Sequence, residues 1–385
     1  MNNKLLAVIV VVILAVAGVS AYVLLSDNSN KDVRVNLLAG VNNEGSGIYI
    51  RNSLNADDLL TIDGEGNVEY HPEGWKGLVF GVPGVATIQY VQLMEIVTEE
   101  LNFKFENFGS NVTGDVVYYY SNVTTADVAN QKVDENAIDG GIIWEPQYQM
   151  AIAGAKFKEL ATTDVLFPDH ICCVVAGNMS YVEANENAMV DFLSALIKAD
   201  KWLNETLAAG SGEDYDEMMR IAKNNFKNMS DAVIIASLRS VVYTYGTDTV
   251  KPLSNWNSQI ASLVDSLENL GQLTRSVKDL GFDDGAAFAD AFVNDKYLVQ
   301  ALADDGRKSD SVTKVRVALI SGDIHQFAVQ LARDLGYFEE YGLEVEVVGA
   351  TAGPIVISKI RTHEADIGLL GAPPLTTNTI NGKLI

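Results

Sequence analysis

Five short clusters in the chain carry polar side chains whose types and spacing suit the capture of a small ligand. Asp323, His325 and Gln326 fall within four residues, between a short apolar run and a helix-period segment. Asn43, Glu44 and Ser46 fall in "NNEGSG", and Thr87 follows "GVPG" at the head of an amphipathic segment. Trp144 and Glu145 end an apolar run, and Gly371, Ala372 and Pro373 follow the buried-looking "DIGLL". Groups of this kind, set where strands give way to helices, bind through hydroxyls, amides and free backbone N–H. The helix dipole there favours an anionic group without any need for arginine. Each cluster also has a plain structural role. His325 would be satisfied within a first helical turn, "GAPP" would be a rigid turn, and "NNEGSG" a simple one. Thr87 would be an N-cap, a role compatible with ligand contact, and Trp144 would pack at a hinge. His71 and Trp75 are weaker candidates near a polar crossover.

Catalytic patterns are absent from the sequence. No G-x-S-x-G or phosphate-cradling GxxxxGK[ST] occurs, and no Cys–His pairing stands out. The two cysteines, Cys172 and Cys173, are adjacent in "HICCVVA". A vicinal disulfide is strained, so they read as small core residues of a buried strand. With four scattered histidines, no metal site is apparent. We therefore expect no enzyme, no cofactor and no metal.

These residues need elements to position them. Val315–Ile320 reads as a strand, "HQFAVQLARDLGYF" as a helix with Phe327, Leu331, Leu335 and Phe338 on one stripe, and Leu343–Val347 as an alternating strand. A helix opening at Pro354, a strand over 366–370 and the "GAPP" loop complete a β-α-β-α-β order, half of a doubly wound parallel sheet. Near the other end, "VRVNLLAGV" and "IYIR" are strands joined by a loop, and residues 52–74 a polar crossover. From Trp75 onward come a strand, a Gly-rich turn, an amphipathic helix and further strands to "GGIIW". Residues 186–302 read as mostly helical, and 303–314 as a polar linker. The last residues, Lys383-Leu384-Ile385, look like the start of a strand.

Bulk properties narrow the class. The 385 residues are long enough for two domains, and 48% hydrophobic content with 8 prolines argues for packed structure. Against 27 basic residues stand 51 acidic ones, a net charge of −24, which excludes nucleic acid as a partner. Residues 5–25 form an uncharged run long enough to span a bilayer, preceded by Lys4. We read it as an uncleaved anchor with the rest outside the cytoplasm; the competing reading is a signal peptide cleaved near Val19-Ser20-Ala21. Sequons at Asn111, Asn122, Asn178, Asn204 and Asn228 accord with export.

"RVALISGDIHQFAVQLARDLGYFEEYGLEVEVV", "EADIGLLGAPP", "GVNNEGSGIYIR", "GVPGVATIQY", "IDGGIIWEPQY" and "FADAFVNDKYL" together resemble the substrate-binding proteins of ABC importers. The group is the one for nitrate, sulfonate, taurine and thiamine precursors. The resemblance implies an α/β fold of the type II periplasmic-binding-protein kind, two lobes each built as a doubly wound βαβ sheet, which here would follow the N-terminal transmembrane helix read from the apolar run. It implies residues 1–26 as anchor or signal, 33–72 as first lobe, 73–164 as second lobe, 165–302 as closing strand and helices of the first lobe, 303–314 as linker, and 315–385 as the start of the first lobe. In the family order that last segment comes first, so the chain looks circularly permuted; the alternative is a fragment of a tandem pair. The implied function is capture of a small anionic or polar solute by hinge closure, for delivery to an ABC transporter permease. Thiamine-precursor binding or synthesis and an exported sensing module are the other readings, although "HICCVVA" lacks the cysteine-rich pattern of the synthesising branch.

Overall fold

The apolar runs become the strands of two sheets. The computed structural model describes residues 33–244, 254–303 and 312–385. The anchor expected over residues 5–25 and most of the 303–314 linker lie outside these residues. No described helix is long and apolar enough to cross a membrane. In chain order the strands are β1 Val35–Gly40, β2 Asn42–Glu44, β3 Ser46–Arg51, β4 Leu60–Ile62, β5 Val68–Tyr70, β6 Val79–Gly81, β7 Lys104–Asn107 and β8 Val116–Tyr120. They continue as β9 Gly140–Trp144, β10 Phe157–Thr162, β11 Cys173–Asn178, β12 Val241–Tyr243, β13 Thr313–Ile320, β14 Leu343–Ala350 and β15 Ile367–Gly371. One sheet has the order β1-β11-β15-β13-β14 and the other β10-β3-β9-β6-β8-β7.

In the first sheet β13 runs parallel to β14 and β15, while β11 is antiparallel to β15 and to β1. Every residue of β1 and β11 is buried, as a strand covered on both faces requires. At the edge, Glu344 and Glu346 of β14 stay exposed, and Glu346 pairs with Lys314 at 2.7 Å. One face is covered by Phe192, Leu196 and Leu331, from the helices Glu186–Ala209 and Phe327–Asp334. The other is covered by Ile260, Val356 and Leu375, from the helices Ser254–Asn269, Gly353–Arg361 and Ala372–Gly382. The second sheet is likewise packed on both faces, with Leu93 and Trp75 on one side and Ala126 and Tyr148 on the other.

Several expectations need correction. The chain does not stay in the first lobe to residue 72: β3 pairs with β9 and β10, so it crosses to the second sheet at Gly45. β1 and β3 are both largely buried strands, and their hydrogen-bonding partners decide which sheet each joins. The expected loop at "NNE" is strand β2, paired with β12. The crossover at 52–74 contains the hairpin of β4 and β5. Trp75 is core: fully buried, it stacks on Phe80 at 5.2 Å and donates its indole N–H to Leu59 O at 2.8 Å. The His71 ring faces Thr61 at 3.3 Å near the surface, away from the cleft residues.

"GAPP" is not a loop either. Gly371 is the N-cap and Ala372 to Pro374 open the helix Ala372–Gly382. Prolines fit there because first-turn N–H groups have no acceptor within the helix. Lys383 to Ile385 form no strand; Lys383 takes a left-handed cap at φ 54°. Leu384 is buried, and its carbonyl accepts from Val35 N at 2.7 Å, beside the start of β1.

Candidate ligand-binding cleft

Two crossover segments, residues 42–46 and 163–172, join the lobes and run side by side. Glu44 N donates to His170 O at 3.3 Å and Cys172 N to Asn42 O at 3.1 Å. The Asn43 side chain donates to Asp169 O at 3.2 Å, and the Glu44 carboxylate accepts from Asp169 N at 2.8 Å. Ser46 begins β3, where its hydroxyl accepts from Gln89 at 2.9 Å and its carbonyl from Thr163 at 3.0 Å. The polar side chains of "NNEGS" therefore mainly bind one crossover to the other.

Asp323, His325 and Gln326 form a hub beneath this hinge. Asp323 caps a short 3-10 turn and accepts from the His325 N–H at 3.0 Å and from its ring Nδ1 at 2.8 Å. Nε2 faces the Glu44 carbonyl at 3.1 Å. A carboxylate and a carbonyl both accept, so the ring needs a proton on each nitrogen. Burial pulls the imidazole pKa down, but neighbouring Cys172 and Asp323 outweigh it and hold it well above its ordinary value. Gln326 bridges Ile320 N at 2.8 Å and Leu369 O at 3.1 Å, tying β13 to β15. All three are buried and internally bonded, a placement that braces the first lobe rather than offering groups to a ligand. The thiols Cys172 and Cys173 are free and buried, 3.9 Å apart. The structure thus sets Cys172 beside His325, a neighbourhood hidden by their distance in sequence.

Glu145 performs a related task between lobes. It is 1% exposed and accepts from Ser240 at 2.9 Å, Ser237 at 3.0 Å and Gln149 N at 3.2 Å. Ser237 and Ser240 lie on the helix Asp231–Ser240, whereas Glu145 follows β9 of the second sheet. Burial raises the carboxyl pKa more than these hydrogen bonds lower it. Trp144, half-buried, packs with the Tyr148 cluster.

What opens between the lobes is a cavity of about 410 Å³. Its walls come from the helix Ile88–Glu95, the crossover 167–171, the helix Ser254–Asn269 and the start of the helix Ala372–Gly382. Of the residues anticipated from sequence, Ala372 and Pro373 line it. Thr87 stands beside it as the N-cap, accepting from Tyr90 N at 3.3 Å. Gly371 lies just outside as the cap of its helix.

The polar groups aimed at the space were missed. Gln92 is 4% exposed, and both atoms of its amide are buried with no partner. His170 Nε2 is also unpartnered. Sequence signals for this wall exist: Gln89 and Gln92 are three apart on an apolar helix, and Ser258, Ser262 and Ser266 recur every fourth residue. A helical stripe of that kind faces one way.

Similar folds occur among solved structures at low identity. The ligand-binding component of an ABC-type import system from Staphylococcus aureus, solved with zinc bound, is 18% identical, with 70% of this chain and 74% of that one covered at a TM-score of 0.47. The periplasmic nitrate-binding protein NrtA from Synechocystis PCC 6803 is 16% identical, with coverage of 70% and 67% and a TM-score of 0.48. The alkanesulfonate-binding protein SsuA from Xanthomonas axonopodis pv. citri, bound to MOPS, is 14% identical, with coverage of 63% and 71% and a TM-score of 0.43. No curated protein sequence matches this one. The model of the NMT1-like family matches residues 7–211, more than half of the sequence, and the chain belongs to that family.

Proposed function

We propose that the protein is the solute-binding component of an ABC importer, holding a small polar solute between its lobes and passing it to a transporter permease. The observation that carries this reading is the 410 Å³ cavity at the seam of two α/β lobes, with buried polar groups left unpaired in its wall. That volume is of the size that encloses small ligands. Paired crossovers are the usual build of a hinge that closes on its ligand. Binding, not turnover, is the function, and the apolar run at residues 5–25 tethers the lobes outside the cytoplasm.

The order of segments is that of a rotated chain: β13 to β15 complete the sheet of β1 and β11. Val35 N donates to Leu384 O at 2.7 Å, which sets residue 384 beside the start of β1 as this reading requires. To test the function, the purified protein is examined by mass spectrometry for a retained small molecule, and that compound is titrated back by calorimetry. Reversible, stoichiometric binding with a raised melting temperature is expected. A well-folded protein that retains nothing and melts unchanged across a broad solute panel refutes the reading.

A further inference from the structure

We infer that this cleft selects an uncharged or cationic solute bearing N–H donors, and rejects oxyanions. The inference rests on the solute-binding reading and specifies its ligand class.

The argument begins with proton positions. His170 Nδ1 lies 2.8 Å from Phe167 O. A carbonyl only accepts, so that nitrogen carries the proton, and in the neutral ring Nε2 points a bare lone pair at the cavity. Gln92 adds one acceptor and one two-hydrogen donor, both buried and unpaired. The wall therefore presents two acceptors, His170 Nε2 and Gln92 Oε1, which a ligand must answer with hydrogens. A sulfonate or nitrate has none to give.

The devices that usually hold oxyanions are missing or blocked. Among the described residues lining the cavity there is no lysine or arginine, whereas Glu95 and Asp169 stand at its rim. The helix beginning at Ala372 cannot serve as an anion cradle. Ala372 N already donates to Cys172 O at 2.9 Å, and Pro373 and Pro374 have no N–H. At the facing helix, Tyr90 N is taken by the Thr87 hydroxyl at 3.3 Å, leaving the N–H groups of Ile88 and Gln89 as the donors of that turn. Apolar walls from Val91, Phe167 and Leu263 suit a flat or branched hydrocarbon body behind the polar edge.

The test uses the full protein and a matched series that varies only the head group: benzamidine, benzamide, benzoate and benzenesulfonate, with nitrate and taurine alongside. Binding is measured by calorimetry at pH 8. Benzamidine and benzamide are expected to bind at least tenfold more tightly than the anions. Gln92→Leu is expected to fold normally and weaken benzamide by at least tenfold. Equal or tighter binding of benzenesulfonate, nitrate or taurine overturns the inference while leaving the solute-binding reading intact. Unchanged benzamide affinity in Gln92→Leu also overturns it. If no member of the series binds the wild type, the inference falls. Whether the solute-binding reading falls too is then told by the retained-ligand experiment.

Discussion

His325 shows how a residue of catalytic type becomes structural through its neighbours. Its two ring nitrogens face Asp323 and Glu44 O, so replacement by alanine leaves a buried carboxylate and a carbonyl without partners. His325→Ala is expected to lower unfolding stability by about 3–5 kcal/mol, measured by urea denaturation. The sign of the pH effect follows from the raised pKa. The stabilisation is complete below the ordinary histidine value of about 6.5 and is lost as pH rises through the higher folded value. The wild type should therefore lose stability on the alkaline side more steeply than His325→Ala; parallel curves would show that the ring is not an imidazolium. Glu145 has a raised pKa as well, and its stabilising share is likewise lost as pH rises above the ordinary carboxylate range. Glu145→Leu strands the Ser237 hydroxyl and the Gln149 N–H, and should cost about 1–3 kcal/mol by thermal denaturation. Glu145→Gln, which keeps an acceptor, should cost less at pH 8. Both residues were visible in sequence as polar side chains in the right loops. Their distant partners, Glu44 for His325 and Ser237 and Ser240 for Glu145, were not.

At the scale of elements, the hinge depends on one backbone conformation. Gly45 has φ +80°, and a Cβ there would lie 2.4 Å from His325 Nε2. Gly66, at φ +88°, has nothing within 4 Å. Gly45→Ala should thus cost clearly more than Gly66→Ala, which bears only the left-handed backbone penalty of about 1–2 kcal/mol. Equal melting shifts for the two variants would remove the contact from the account. Strands and amphipathic helices were largely legible because burial leaves its period in the sequence: two for β14 at the sheet edge, near 3.6 for the helix after His325. "NNE" was not legible as a strand, since three polar residues carry no such period and pairing with β12 and with Ile171 makes them one. The helical start at "GAPP" was misread for a different reason. Prolines mark both turns and first helical turns, and only the following Leu375 to Ile380 packing separates the two.

For the whole molecule, the first sheet is assembled from both ends of the numbering. Residues 27–310 alone would lack β13, β14 and β15, three strands of a five-stranded sheet, and would expose the β11 edge that β15 covers. That fragment is expected to aggregate or to melt without a cooperative transition by circular dichroism. A soluble 27–310 with a sharp transition would contradict the placement of the third segment in the same sheet.

The sequence by itself determined the α/β class, the buried strands, the helix stripes and the segment order, because side-chain burial imprints periodicity and the motifs are local. Only the tertiary structure decided that β3 belongs to the second lobe, that Asp323, His325, Gln326 and Glu145 hold the frame, and that Gln92 and His170 face the cavity. Those outcomes depend on which donor meets which acceptor across elements far apart in the chain. A buried polar group is structural when it finds its partner and available to a ligand when it does not, and only folding settles which.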